Sequence, residues 1–296
     1  MALTALYELP APAKLNLFLH VIGRRADGYH LLQSLFVLID WCDLLHVERR
    51  SDGRLQRHDL SAALPENDLC LRAARALQSA SGSTLGADIH IDKRVPWGAG
   101  LGGGSSDAAT TLLALNRLWA LHWPRQRLLE LGLSLGADVP FFINGCNAFV
   151  EGIGERFMPV GVAPSCFAVV KPAAALPTAQ IFAHPALKRD TRPVIVAGSF
   201  ANAKLLDDWK AGKFEFGRND LQPCAQELCP EVMVVARWLQ RHHGNSRMTG
   251  SGSAVFANLG SAVQLGVTWP PQPLAAGWVG RLCRSLPEHP LRGWAA

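Results

Sequence analysis

The chain has 296 residues, 49% hydrophobic and 18% charged, a mix that supports a sizeable core and excludes a disordered protein. Its net charge of +5 suits a polyanionic small ligand, but the basic residues are dispersed and not interleaved with aromatics, which argues against nucleic acid. Seven cysteines, odd in number and never spaced C-x-x-C, exclude a disulfide framework and a zinc finger and point to a reducing compartment.

Residues 1–10 carry no positive leader before an apolar stretch, and no apolar run approaches the ~20 residues that span a bilayer. The expectation is a cytoplasmic protein without a membrane partner. After Pro12, the residues Leu15, Leu17, Leu19 and Val21 alternate at strand period, so Lys14 and Asn16 share the opposite face. A lysine at a strand start ordinarily points to solvent. Among Ala13, Leu15, Leu17, Phe18 and Leu19 it asks instead for an anionic partner, a carboxylate or a phosphate. Arg25-Ala26-Asp27-Gly28 reads as a turn, and 29–40 as a second strand. Residues 67–80 have helical spacing, and Ile89 and Ile91 flank His90 in a short strand.

Next comes Pro96-Trp97-Gly98-Ala99-Gly100-Leu101-Gly102-Gly103-Gly104-Ser105-Ser106-Asp107, followed by the apolar positions of a helix. Ser or Asp is available to cap that helix. Glycines let backbone amides approach a ligand, and a helix start adds free N–H groups and positive dipole, which together make a phosphate cradle. The spacing matches G-x-G-x-x-G, but no carboxylate follows ~20 residues on, as a dinucleotide fold requires. No lysine follows the glycines, so this is not a P-loop either. A helix covers 125–135. Asp138, before Pro140, fits a helix N-cap and also fits a carboxylate beside a transferred phosphoryl group. Strands are expected at 145–150 and 166–170, a helix at 227–240, and a second glycine loop at Thr249-Gly250-Ser251-Gly252-Ser253 before a strand at 254–256. That second loop is either a plain hairpin or a closure over the ligand. The stretch from 270 onward shows no assignable pattern.

In this order, Pro12-Ala13-Lys14-Leu15-Asn16-Leu17, the loop from Pro96 to Ser106, and Met248-Thr249-Gly250-Ser251-Gly252 resemble the three motifs of the GHMP kinase superfamily. Asp27-Gly28-Tyr29-His30, Gly136-Ala137-Asp138-Val139-Pro140, and Pro177-Thr178 with Ile181-Phe182 look like its 4-diphosphocytidyl-2-C-methyl-D-erythritol kinase family, over residues 8–258. The resemblance implies an α+β, two-domain fold: an N-terminal ribosomal-protein-S5-like, ATP-binding domain at 1–160 and a C-terminal ferredoxin-like domain at 161–296. It implies ATP-dependent phosphorylation of the 2-hydroxyl of the cytidyl substrate in non-mevalonate isoprenoid biosynthesis.

The same resemblance makes Lys14 and Asp138 the catalytic pair, with Asp138 taking the hydroxyl proton. Gly98 to Ser106 wrap the ATP phosphates, with Mg²⁺ bridging them and no metal ligand assigned on the protein. Asp68, Leu69, Lys93, Pro96 and Trp97 lie near the nucleotide. Tyr29 and Phe182 sandwich the cytosine, His30 reads its polar edge, and Asn16 and Thr178 contact the substrate. Taken without the family, these last side chains read as core aromatics and local hydrogen-bonding groups. Trp97 is bulkier than its place suggests, and Asp107 either tunes phosphate binding or caps the helix. A kinase for homoserine, a sugar or mevalonate is the nearest rival, but those substrates have no base to stack. A non-catalytic regulator would not need both Lys14 and Asp138. The expected assembly is a monomer or a weak homodimer.

Overall fold

A computed structural model describes residues 3–61, 63–196, 202–261 and 269–295. In chain order it runs β1 (Ala5–Arg24), β2 (His30–Arg50), β3 (Leu55–Asp59), α1 (Leu69–Ser81), β4 (Gly86–Asp92), α2 (Gly103–Leu118), α3 (Arg125–Leu135), α4 (Val139–Asn144), β5 (Ala148–Gly152) and β6 (Arg156–Pro159). It continues with β7 (Cys166–Lys171), α5 (Thr178–Ala183), α6 (Ala203–Lys210), α7 (Gln222–Leu228), α8 (Pro230–His243), β8 (Arg247–Met248), β9 (Val255–Gly260) and β10 (Val279–Arg284). No described helix is long and apolar enough to cross a membrane.

Two sheets organise the chain. The first has the order β3-β4-β2-β5-β6, with β1 paired to β2. The second has the order β10-β7-β9-β8 and is antiparallel throughout. Strand β2 continues ten residues past the expected end at Asp40, because its two halves serve different neighbours. Leu32 to Phe36 pair with β5, and Leu44 to Arg50 pair with β4.

Three apolar clusters fill the molecule. One lies between the first sheet and α1 to α4, one between the two sheets, and one between the second sheet and α7 with α8. Strand β1 feeds more than one of them. Leu15 and Leu17 enter the inter-sheet cluster, whereas Leu19 and Val21 enter the third. The uniform alternation seen in the sequence is broken by a register shift between Asn16 and Leu19, which redirects the side chains beyond it.

Helix α2 differs from expectation at its start. Its N-cap is Gly102, which has no side chain, so neither serine nor Asp107 caps it. Ser106 and Asp107 lie inside the helix and are buried. The patternless C-terminal stretch forms β10 on the edge of the second sheet and then returns to the first. There Leu291 and Ala295 join the helix-side core, and Arg125 donates to the carbonyls of Asn144, Arg292 and Ala295.

Candidate active site

The loop between β4 and α2 is held by backbone contacts from two distant segments. Lys14 N–H donates to Leu101 O at 2.9 Å, and the N–H groups of Ser253 and Ala254 donate to Gly98 O and Ala99 O at 3.2 and 3.1 Å. Gly98, Gly100 and Gly102 have φ of 63°, 72° and 73°, in the left-handed region. At Gly100 a Cβ atom would sit 2.3 Å from Thr249 O, so the second glycine loop lies directly on the first. The amides of Gly102 to Ser105 precede any intrahelical acceptor, which makes the start of α2 an anion site.

Beneath the loop, Lys14 is buried to 4% side-chain exposure on β1, while Asp138 on the facing turn keeps 31%. Lys14 Nζ lies 3.5 Å from Asp138 Oδ2 and 4.5 Å from the centre of the Phe36 ring. Asp138 occupies the N-cap position of α4, yet its carboxylate makes no capping bond. It faces the lysine instead. Burial pulls the Lys14 ammonium below the ordinary lysine range, and the Asp138 carboxylate counteracts that pull.

Asn16 braces the lysine. Its Oδ1 accepts from Lys14 Nζ, its Nδ2 donates to Ser34 Oγ at 2.9 Å, and its backbone N–H donates to Thr249 Oγ1 at 2.9 Å. Thr249 comes from a segment 233 residues away, so the three motifs close on one another.

A second charged cluster supports the loop from its other side, and the sequence reading did not find it. Lys93 Nζ donates to Asp43 and, at 2.6 Å, to Asp107 Oδ2. The other oxygen of Asp43 accepts from the N–H groups of Arg94 and Val95 at 2.6 and 2.8 Å. Burial opposes the Lys93 charge, but Asp107 and Asp43 together hold its pKa above the ordinary value. Burial raises the Asp107 carboxyl well above the usual range. Its Oδ1 has no protein partner, nor does the buried Ser106 Oγ. The only sequence signal was two acids lodged in apolar segments.

At the far end of the site, the start of β2 and helix α5 bring their rings together. His30 stacks on Phe182 with centroids 4.9 Å apart and planes 29° apart, while Tyr29 stands 59% exposed beside them. Tyr29, His30 and Phe182 thus share one end of the cavity wall. Thr178 Oγ1 meets Ser251 Oγ at 2.7 Å, which joins α5 to the second glycine loop.

All of this opens on one cavity of about 900 Å³. Lys14, Asn16, Tyr29, His30, Leu69, Lys93, Pro96, Trp97, the loop from Gly98 to Gly104, Ser105, Asp138, Thr178 and Phe182 line it. Trp97, 75% exposed, stands on its rim. Two expected residues stand back from the wall. Ser106 is fully buried, and Asp68 caps α1 while pairing with Arg57 at 2.8 Å. Leu176, Ala137 and Ile153 also line the cavity, and none was given a role in it by the sequence.

Comparison with known proteins gives this cavity a lineage. Residues 68–146 match the family model of the GHMP kinases N terminal domain, and 200–260 match that of the GHMP kinases C terminal domain. The chain is 61% identical to the 4-diphosphocytidyl-2-C-methyl-D-erythritol kinase of Methylibium petroleiphilum, covering 100% of each. It is 54% identical to the enzyme of that name from Paracidovorax citrulli, covering 98% of each.

Among solved structures, a crystal structure of 4-(cytidine 5'-diphospho)-2C-methyl-D-erythritol kinase aligns with a TM-score of 0.71 at 38% identity, over 84% of this chain and 88% of that one. A homoserine kinase from Cytophaga hutchinsonii aligns with a TM-score of 0.67 over 98% and 96%, but at 14% identity it shares the fold alone. With a phosphate-type glycine loop, a buried lysine and an aspartate on one cavity, and relatives matched over their whole length, the chain belongs to the GHMP kinases and, within them, to the 4-diphosphocytidyl-2-C-methyl-D-erythritol kinase family.

Proposed function

We propose that this chain transfers the γ-phosphoryl group of ATP to the 2-hydroxyl of 4-diphosphocytidyl-2-C-methyl-D-erythritol, a step of non-mevalonate isoprenoid biosynthesis. The observation that carries the reading is the convergence of Lys14 and Asp138, 3.5 Å apart, between a glycine-loop helix start and an aromatic end on one cavity wall. Phosphoryl transfer asks little covalent help of a protein and much alignment and charge.

The amides of Gly102 to Ser105 receive the ATP phosphates. Asp138 accepts the hydroxyl proton as the substrate oxygen bonds to the γ-phosphorus and the bond to the ADP oxygen breaks. Lys14 keeps its proton and offsets the charge that develops. Magnesium, when bound with the nucleotide, neutralises phosphate charge. The cavity-lining Ser105 hydroxyl would hold it on the protein side. Tyr29, His30 and Phe182 take the cytosine, and Asn16 and Thr178 take polar groups of the acceptor.

On this reading the chain divides near residue 160, between β6 and β7, with the C-terminal tail returning to the first unit. Seven unpaired cysteines support a cytoplasmic setting. The test is an ADP-release assay with the cytidyl acceptor, homoserine, mevalonate and galactose in parallel. Turnover is expected with the first, at kcat/KM at least about a thousandfold above the rest. Comparable turnover on homoserine or mevalonate would overturn the assignment.

A further inference from the structure

We propose that Arg189, which does not line the cavity, is a positioning residue that sets both ring-bearing walls of the base site. It fixes the His30 ring in one tautomer and at the same time pins the end of α5 that carries Phe182. The proposal rests on the reading of the cavity as a cytidine-diphosphate site.

The guanidinium sits behind the two stacked rings, and its donors are spread over four acceptors. Nε donates to His30 Nε2 at 3.0 Å. One Nη2 is shared between Phe182 O and His184 O, each at 3.1 Å, which are carbonyls at the close of α5. Nη1 donates to Leu187 O at 2.9 Å. A single side chain therefore ties the segment after β1 to a helix about 150 residues later, where His30 and Phe182 stack at 4.9 Å.

The chemistry follows from what a guanidinium lacks. It has no acceptor and keeps its proton, so the ring nitrogen it meets must be the bare one. His30 Nε2 is thereby the acceptor, and the neutral ring carries its hydrogen on Nδ1. Burial, Arg189 and Arg24 all hold His30 below its ordinary pKa, so the neutral form is the resting one. The acid nearest in sequence, Asp27, is engaged with Arg25 at 2.7 Å and with the Tyr29 amide at 3.2 Å. A ring that can donate only through Nδ1 favours a base edge that accepts. Cytosine offers a bare N3 there, whereas uracil offers N–H. Arg189 thus touches base choice without touching the base.

The test compares wild type with Arg189→Met, which removes the donors, and Arg189→Lys, which keeps a charge and a single donor nitrogen. Calorimetry with CDP, UDP and ADP runs beside steady-state kinetics. For Arg189→Met, the CDP Kd and the KM for the cytidyl acceptor are expected to rise about tenfold, the ADP Kd and the KM for ATP to hold, and the preference for CDP over UDP to shrink. Arg189→Lys should recover part of the loss. Long-range ¹H–¹⁵N spectra, with His30 assigned by His30→Gln, should show Nδ1 protonated in wild type and a tautomer mixture in Arg189→Met. Unchanged CDP affinity in Arg189→Met, or equal losses for CDP and ADP, would overturn the positioning role alone. If wild type itself neither binds CDP nor phosphorylates the cytidyl acceptor, the functional reading falls with it.

Discussion

On the proposed reading, Lys14 and Asp138 divide the work of phosphoryl transfer by exposure. The lysine is sealed under the phosphate loop and the carboxylate is open to the cavity, so the carboxylate is the group positioned to take a proton. Asp138→Asn should therefore lower kcat by about a thousandfold or more while the KM for ATP stays within about twofold, since the amide keeps the shape and loses the base. Pre-steady-state ADP release and ADP calorimetry check the two halves, and near-normal turnover would remove the base assignment. Strand period alone placed Lys14 and Asn16 on one face, and the apolar setting of Lys14 foretold an anionic partner. Nothing local could name that partner, because Asp138 is 124 residues on and its sequence context reads equally as a helix cap. The same limit hid Asp43, which meets Lys93 across 50 residues. Single buried acids leave no periodic trace.

At the scale of elements, the two glycine loops act as one part. Gly100 and Gly82 both hold positive φ, at 72° and 67°, but only Gly100 faces a backbone at close range. An added methyl at Gly100 would meet Thr249 O at 2.3 Å and Gly252 N at 2.9 Å, and at Gly82 it would meet nothing within 4 Å. Gly82→Ala should cost about 1 kcal/mol at the end of α1 and leave activity alone. Gly100→Ala should pry the loops apart, with kcat/KM for ATP falling about a hundredfold or more. Thermal melts beside kinetics separate the cases, and equal behaviour of the two variants would refute the interlock. Long periodic elements were legible. The helix expected at 125–135 is α3 with those same bounds, and α1 starts two residues later than read. Short pieces such as β6, α5 and α6 were not legible, because four to eight residues carry too little period to stand out.

At the scale of the whole molecule, the tail after β10 fastens the two sheets' surroundings together. His289 anchors it. The ring is 1% exposed, its Nδ1 accepts from Leu291 N–H at 3.1 Å, and its backbone N–H donates to Gly145 O at 2.8 Å. Burial depresses its pKa to about 4, so the native ring is neutral. The unfolded ring titrates near ~6.5, so the stability this ring contributes is full above that pH and is lost as pH falls towards 4. Between pH 7.5 and 4.5 wild type should lose roughly 2–3 kcal/mol more than His289→Gln in urea unfolding. Parallel losses in both proteins would show that the ring titrates freely. This anchoring was invisible in the sequence, where the stretch past residue 270 shows neither motif nor pattern. The contact that Arg125 makes with residues 292 and 295 also orders events in time. During synthesis on the ribosome, α3 and α4 emerge well before the strap that completes their packing. The Arg125 side chain, which also holds Asn144 at the end of α4, gains its remaining carbonyl partners only after residues 292 and 295 have been made.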